Sequence, residues 1–94
     1  MPERKVIVAA STGLHARPAK LFVQEAAKQD VAVQIRVGDG KPVPANSMLG
    51  VLSLGAKRGT EVTLSAEGPG ADAALDALAA LLARDLDAEE PASA

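Results

Sequence analysis

Residues 31–37 alternate large aliphatic side chains with small or polar ones at every position. Successive side chains of a β-strand point to opposite faces, so this pattern predicts a strand with one buried face and one exposed face. The aliphatic positions are Val31, Val33, Ile35 and Val37, and the other face holds Ala32, Gln34 and Arg36. Strands of a purely parallel sheet are apolar on both faces, because helices cover both sides. We therefore expect a sheet that helices cover on one side only.

The hydrophobic periodicity of the rest of the chain predicts alternating strands and helices. Strands are expected at residues 5–9, 31–37, 41–45 and 60–67, with long helices at residues 16–28 and 71–86 and a short helix that stops near Gly55. The apolar stripes of the two long helices are Ala19, Phe22, Val23 and Ala26 in the first, and Leu75, Leu78, Leu82 and Leu86 in the last. The order strand, helix, strand, strand, helix, strand, helix predicts an α+β fold of two layers.

Turn and cap residues place the third strand and the short helix. Gly38-Asp39-Gly40 is typical of a tight hairpin turn. Pro42 and Pro44 lack the N–H that a β-ladder requires, so the strand that holds them is expected at a sheet edge. Asn46 or Ser47 can cap the short helix that follows.

Composition indicates one domain with an aliphatic core. Apolar residues make up 48% of the 94 residues, yet Phe22 is the only aromatic. We predict a single domain over residues 1–86 and a flexible acidic tail at residues 87–94. The chain has no cysteine, and its first residues lead into a strand without an apolar leader or membrane span. A cytoplasmic protein without membrane insertion is therefore expected.

The charge is uneven along the chain and bears on the kind of partner. The last ten residues carry four acids and no base, which leaves ten bases against eight acids in the remainder. A mildly basic body favours an acidic or phosphorylated protein partner, although an ordinary solvated surface has a similar balance. Nucleic acid is not expected as a partner, because there is no set of aromatic side chains for base stacking and no basic recognition helix.

His15 is the only histidine and lies at the predicted start of the first helix, in Gly13-Leu14-His15-Ala16-Arg17-Pro18-Ala19. Helix N-termini attract anions, and the backbone N–H groups of Ala16 and Arg17 have no acceptor within the helix. Imidazole is a nucleophile at neutral pH, and the Arg17 guanidinium suits bidentate contact with phosphate. The segment therefore suggests a histidine that carries a phosphoryl group, although a capping or surface histidine fits the spacing equally well.

Neighbouring residues add to this hypothesis or limit it. Pro18 would make the first helical turn rigid, and the hydroxyl of Ser11 or Thr12 could contact a phosphate. A single histidine without cysteine does not suit a metal site. Hydrolase chemistry would require an orienting acid and a separate nucleophile around a pocket, and the edge of a helix is too flat for one.

The sequence resembles the HPr family, the histidine-containing phosphocarriers of the bacterial phosphotransferase system. Residues 13–19 are similar to the active-site motif of that family, and Ala45-Asn46-Ser47-Met48-Leu49-Gly50-Val51-Leu52-Ser53-Leu54-Gly55 is similar to its second-helix motif. The order and length of the elements agree from about residue 4 to residue 86. Two motifs at the matching separation are much more specific than either one alone.

The resemblance implies an open-faced two-layer sandwich, with a four-stranded antiparallel sheet and three helices on one face. It implies that Nδ1 of His15 accepts a phosphoryl group from phosphorylated enzyme I, with help from Arg17, and passes it to enzyme IIA domains during sugar uptake. The protein would be a stoichiometric carrier rather than an enzyme, and would need no cofactor. We expect a monomer, since one face must stay free for successive partners.

The resemblance also bears on Ser47, for which two interpretations stay open. In some bacterial lineages a dedicated kinase phosphorylates the matching serine, a phosphatase reverses the modification, and the product serves as a corepressor for a transcriptional regulator. The other interpretation is structural, because serine is a preferred helix cap.

The short helix offers a set of apolar residues, part of which must fill the core. The resemblance implies that its outward members form a docking patch beside His15, rimmed by Arg17 and Lys20. The candidates are Met48, Leu49, Val51 and Leu52.

Three other functions remain as alternatives to a carrier for sugar uptake. The chain could serve a nitrogen-type branch or a dihydroxyacetone-kinase branch of the same system. It could also act mainly as an allosteric regulator or corepressor through Ser47. The presence of both His15 and Arg17 argues against a purely regulatory role.

Overall fold

The computed structural model describes residues 2–10 and 13–84. Four strands form one sheet: β1 (Glu3–Ile7), β2 (Val33–Val37), β3 (Val43–Pro44) and β4 (Glu61–Ala66). All neighbouring strands are antiparallel, in the spatial order β1-β4-β2-β3. The three helices are α1 (Ala16–Ala27), α2 (Met48–Ser53) and α3 (Ala71–Leu82). The most C-terminal strand therefore lies inside the sheet, between β1 and β2.

One face of the sheet forms the core together with the helices. α3 contacts β1, β4 and β2, while α1 packs against α2 and α3. The inward strand residues Val33, Ile35, Val62, Leu64 and Ala66 are buried, together with the helix residues Phe22, Leu75, Leu78 and Leu82. On the other face, Glu3, Lys5, Gln34 and Glu61 are exposed. The predicted α+β open-faced sandwich is confirmed, including the one-sided alternation of residues 33–37.

β1 begins and ends two residues earlier than the apolar run predicted. Its position is set by pairing with the central strand, from Glu3 opposite Ser65 to Ile7 opposite Glu61. In this register Ile7 points away from the core and is half exposed, whereas Val8 is buried. The prediction for residues 5–9 was wrong in its bounds, because a short apolar run does not reveal where a strand finds its partner.

Arg4 ties β1 to α3. Its Nε donates to Oδ1 of Asp76 at 3.0 Å, and Nη2 donates to Oδ1 of Asp72 at 3.2 Å. The hydrogen bond to Asp76 raises the pKa of Arg4 above its ordinary value. The two carboxylates near the start of α3 thus also hold the sheet edge, a contact that the sequence did not predict.

β3 is confirmed as an edge strand, but it is shorter than the predicted residues 41–45. Pro42 and Pro44 cannot donate hydrogen bonds, so the ladder with β2 is limited to two residue pairs. Just beyond it, the Ala45 N–H still donates to the Val33 carbonyl at 2.8 Å.

The ends of the other elements differ slightly from the prediction. β2 and β4 are each two residues shorter than predicted, and α1 ends at Ala27. α3 ends at Leu82, with Ala83 at its C-cap, rather than at residue 86. Leu86 and the predicted tail at residues 87–94 lie outside the described residues. No helix in residues 2–10 and 13–84 has the length and hydropathy needed to cross a membrane.

Candidate functional site

The candidate site begins at Gly13, where the described chain resumes ahead of α1. Gly13 has φ of +74°, a conformation that favours glycine. Its N–H donates to the Ala10 carbonyl at 2.9 Å, and the His15 N–H donates to the Gly13 carbonyl at 3.0 Å. The second bond closes a turn at Gly13 and Leu14 that leads into His15 at the start of the helix.

This turn lies directly against the segment that follows α2. The Leu14 N–H donates to the Ala56 carbonyl at 2.8 Å, and both side chains are buried. A Cβ added to Gly13 would lie 2.4 Å from the Ala56 carbonyl oxygen and 2.7 Å from Cα of Lys57. Any residue larger than glycine would therefore displace the turn before His15, even apart from the backbone conformation.

His15 is the N-cap of α1, with an extended backbone, an exposed side chain and no side-chain cap hydrogen bond. Its own N–H is already bonded within the turn, and Pro18 has none. The N–H groups of Ala16 and Arg17 lie in the first turn of α1, where an α-helix itself provides no acceptor. That these two N–H groups face a phosphate stays a prediction.

The cations predicted for the site are at the surface. The side chains of Arg17 and Lys20 are both exposed, within the first turns of α1. The predicted hydroxyl contact from Ser11 or Thr12 lies outside the described residues. Two surface cavities of about 340 and 360 Å³ lie elsewhere, and His15 lines neither of them.

Ser47 is the N-cap of α2, one of the two positions predicted for this cap. Its Oγ accepts a hydrogen bond from the Gly50 N–H at 3.1 Å. The side chain of Ser47 is half-buried. It lies close to Gly50, and a Cβ added to Gly50 would be 3.2 Å from Ser47 Oγ. The structural interpretation of Ser47 is thus correct, and its modification stays a prediction.

The apolar residues of α2 divide between surface and core. Leu49 is 81% exposed and Met48 is 36% exposed, whereas Val51 is fully buried. Leu52 is half-buried and packs against the core. The prediction that Val51 belongs to a docking patch was wrong: its side chain fills the core beneath the helix and presents no surface to a partner.

Sequence reasoning missed the role of residues 55–60, which support the turn before His15. The signal available in the sequence was the pair of glycines, Gly55 and Gly59. Both have positive φ in the structure, +62° and +87°. In the described residues, no group of three or more His, Cys, Asp and Glu side chains could hold a metal ion.

Comparison with known proteins agrees with this geometry. The family described as "PTS HPr component phosphorylation site" matches residues 2–84. The phosphocarrier protein HPr of Streptomyces coelicolor is 51% identical over 87 residues, which cover 93% of this chain and 94% of that protein.

Two solved structures show the same architecture. HPr-C-His from Thermoanaerobacter tengcongensis has a TM-score of 0.81 and 44% identity, over 87% of this chain and 91% of that chain. The catabolite repression protein Crh of Bacillus subtilis, solved as a swapped dimer, has a TM-score of 0.68 and 48% identity, over 90% of this chain and 97% of that chain. With the family match across residues 2–84 and identity of about half to the S. coelicolor protein, the chain belongs to the HPr family of phosphocarriers of the phosphotransferase system.

Proposed function

We propose that His15 accepts a phosphoryl group from phosphorylated enzyme I and passes it to enzyme IIA domains in sugar uptake. The observation that carries this proposal is the position of His15. Its imidazole is exposed at the N-cap of a 12-residue helix and takes no part in capping that helix. The ring can therefore meet a phosphorylated partner without any loss of internal structure.

The transfer can be written as a balanced exchange at phosphorus. A lone pair on a ring nitrogen, Nδ1 by resemblance to the family, forms the N–P bond as the bond from phosphorus to the donor breaks. The electron pair of the broken bond leaves with the donor. The ring nitrogen of His15 that does not bind phosphorus keeps its proton. Transfer to an enzyme IIA domain breaks the N–P bond and restores the imidazole, so the chain acts as a carrier and not as a turnover enzyme.

Charge stabilisation would come from α1. The Arg17 guanidinium and the N–H groups of Ala16 and Arg17 are suited to the phosphoryl oxygens, and the helix dipole favours negative charge there. Because the two N–H groups belong to one short stretch of backbone, they keep their arrangement when one partner replaces another.

The partners would dock beside the helix starts. Exposed Met48 and Leu49 offer apolar contact, with half-buried Leu52 behind them, and Lys20 adds positive charge. A small apolar patch with a basic rim suits transient binding. The protein would act in the cytoplasm, where enzyme I and its substrate phosphoenolpyruvate meet, and we expect a monomer by analytical ultracentrifugation.

A labelling experiment tests the carrier function. The purified chain is incubated with phosphoenolpyruvate labelled in its phosphate and with an active bacterial enzyme I. We expect one acid-labile, base-stable phosphate per chain, which is absent in His15→Ala and chased off by an enzyme IIA domain. Wild-type chain that stays unlabelled by enzyme I preparations from the sugar, nitrogen-type and dihydroxyacetone-kinase branches would refute the proposal. The branch whose enzyme I labels the chain fastest identifies the system that it serves.

Similarity to Crh favours a second candidate, regulation through Ser47. Phosphorylation would place about two negative charges on the hydroxyl that now caps α2, next to the exposed side chains of Met48 and Leu49. Such a charge would repel an acidic partner and create a surface for a different one, such as a transcriptional regulator. An acid-stable phosphate on Ser47 after incubation with ATP and cell extract is the expected result, with Ser53→Ala as a control that keeps Ser47. If no such phosphate forms, Ser47 is a cap only.

A further inference from the structure

The peptide group between Ala56 and Lys57 is held by hydrogen bonds at both of its ends. Its carbonyl, from Ala56, accepts from the Leu14 N–H at 2.8 Å. Its N–H, from Lys57, donates to Oγ1 of Thr60 at 3.1 Å. A peptide group is planar and rigid, so an acceptor that orients its N–H also orients its carbonyl. The Thr60 hydroxyl therefore acts on the carbonyl against which the turn before His15 rests.

Thr60 is itself anchored to the sheet. Its N–H donates to the Lys57 carbonyl at 3.0 Å, which closes a four-residue turn, and its carbonyl accepts from the Val8 N–H at 2.9 Å. The Gly59 N–H donates to the Val8 carbonyl at 2.8 Å. Val8, just after β1, therefore holds Thr60 through hydrogen bonds. Thr60 in turn orients the Ala56–Lys57 peptide group, and the carbonyl of that group bonds Leu14.

The turn before His15 fits this support closely. Gly13 lies so near the Ala56 carbonyl that a Cβ would be 2.4 Å from the oxygen. Leu14 is buried, and the next residue along the chain is His15. A rotation of the peptide between Ala56 and Lys57 would shift Gly13 and Leu14, and with them the backbone from which the imidazole projects.

We infer that Thr60 is a positioning residue for His15, acting through its hydroxyl on the Ala56–Lys57 peptide. The consequence for phosphoryl transfer rests on the proposed function, whereas the consequence for the Leu14 and His15 backbone does not. In-line transfer between two proteins depends on where the nucleophile sits, and a small displacement lowers the rate even when docking is unaffected. Thr60 thereby differs from residues that merely stabilise the fold.

Three variants test it in the full chain. Thr60→Val keeps the branched shape and removes the acceptor, while Thr60→Ser keeps the acceptor. Thr63→Val makes the same chemical change in β4, at a buried position within the strand. If Thr60→Val does not fold, Thr60→Ala replaces it. We measure amide hydrogen exchange of Leu14, the ¹H–¹⁵N shifts of His15 and Ala16, and kcat and KM for transfer from phosphorylated enzyme I.

We expect Leu14 exchange to rise about 5-fold in Thr60→Val, the amount expected for one lost hydrogen bond. The shifts of His15 and Ala16 should move, and kcat should fall about 5-fold with KM unchanged. Thr60→Ser should restore all three readouts, and Thr63→Val should leave them as in the wild type.

Several outcomes would overturn the inference. Leu14 exchange and His15 shifts that stay at wild-type values in Thr60→Val would do so, and so would the same changes in Thr63→Val or no rescue by Thr60→Ser. A rise in KM at constant kcat would show that docking, and not positioning, depends on Thr60. If the wild-type chain takes no phosphate, the proposed function fails, while exchange and shifts still decide the role of Thr60.

Discussion

The starts of α1 and α2 share a backbone conformation and differ in chemistry. His15 has φ −145° and ψ 155°, and Ser47 has φ −105° and ψ 112°, so both N-caps are extended. Ser47 Oγ accepts from the N–H of Gly50, whereas His15 makes no side-chain cap hydrogen bond. The helix of six residues is thus capped by its own serine, and the helix twice as long begins with a side chain that makes no cap hydrogen bond. We interpret the first as a stability feature and the second as a place for another molecule.

α1 compensates for its missing cap through tertiary contacts. Ala19 and Phe22 are fully buried one and two turns into the helix, and Leu14 is buried just before it. The hydrogen bond from Leu14 to Ala56 anchors the approach to the helix from outside. The start of α1 is therefore held by the rest of the fold, which leaves the imidazole free of a structural task.

The His15→Ala and Ser47→Ala variants are expected to show the largest difference between the two N-caps. His15→Ala should abolish phosphorylation by enzyme I, because it removes the nucleophile, and should change the free energy of unfolding by less than about 0.5 kcal/mol. Autoradiography and urea unfolding measure the two effects. If His15→Ala is strongly destabilised, the imidazole has a structural role that the cap geometry does not indicate.

Arg17→Ala is expected to have the next largest effect. This effect should concern the start of α1 and not the start of α2. Loss of the guanidinium should slow phosphoryl transfer about 100-fold, since charge-stabilising groups typically contribute that much. Rapid-quench measurement of the transfer rate tests this, with Lys28→Ala as a control at the far end of α1. A transfer rate equal to that of the wild type would remove Arg17 from the proposed mechanism.

Gly13→Ala should disturb the contact with Ala56 that supports the start of α1 in place of a side-chain cap. The positive φ and the contact with the Ala56 carbonyl predict a loss of about 3 kcal/mol in the free energy of unfolding. Gly38→Ala is the matched control, since its φ is also positive but a Cβ there meets nothing within 4 Å. Equal losses in the two variants would mean that φ alone, and not contact with Ala56, makes glycine necessary at position 13.

The smallest effect is expected at the α2 cap. Ser47→Ala should lower the free energy of unfolding by about 1 kcal/mol through loss of the bond from Gly50, with His15 still phosphorylated. Ser47→Asp should retain most of the stability, because aspartate is an equally good cap. Thermal unfolding and labelling with enzyme I measure both. A large loss of labelling in Ser47→Ala would show that the two helix starts are coupled.

The sequence was most informative where function depends on local features. Residues 13–19 place a nucleophile, a guanidinium and two helix amides within one turn, so reading them required no knowledge of distant contacts. The strand patterns were equally local, since the alternation at residues 33–37 and 61–66 follows from side chains that point to opposite faces. Ser47 as a cap belongs to the same class, because capping involves residues three positions apart.

The predictions from sequence failed where a feature depends on contacts between residues far apart in the chain. The register of β1 depends on β4, and Arg4 bonds two carboxylates of α3 that are 68 and 72 residues away in the chain. Val51 could not be separated from Leu49 by periodicity, because six helical residues make less than two turns. The support of Gly13 by Ala56 leaves no periodic signal at all.

The amino-acid order was sufficient for the α+β class, the edge position of β3, a cap of α2 at residue 46 or 47, and the placement of the one histidine at the start of α1. These features arise from short-range preferences of backbone and side chain, which neighbouring residues express directly. The packing of residues 55–60 under the turn before His15, and the burial of Val51, arose only when the sheet and helices came together. Such contacts depend on the three-dimensional path of the whole chain, and those of residues 55–60 lie directly against the turn that leads to His15.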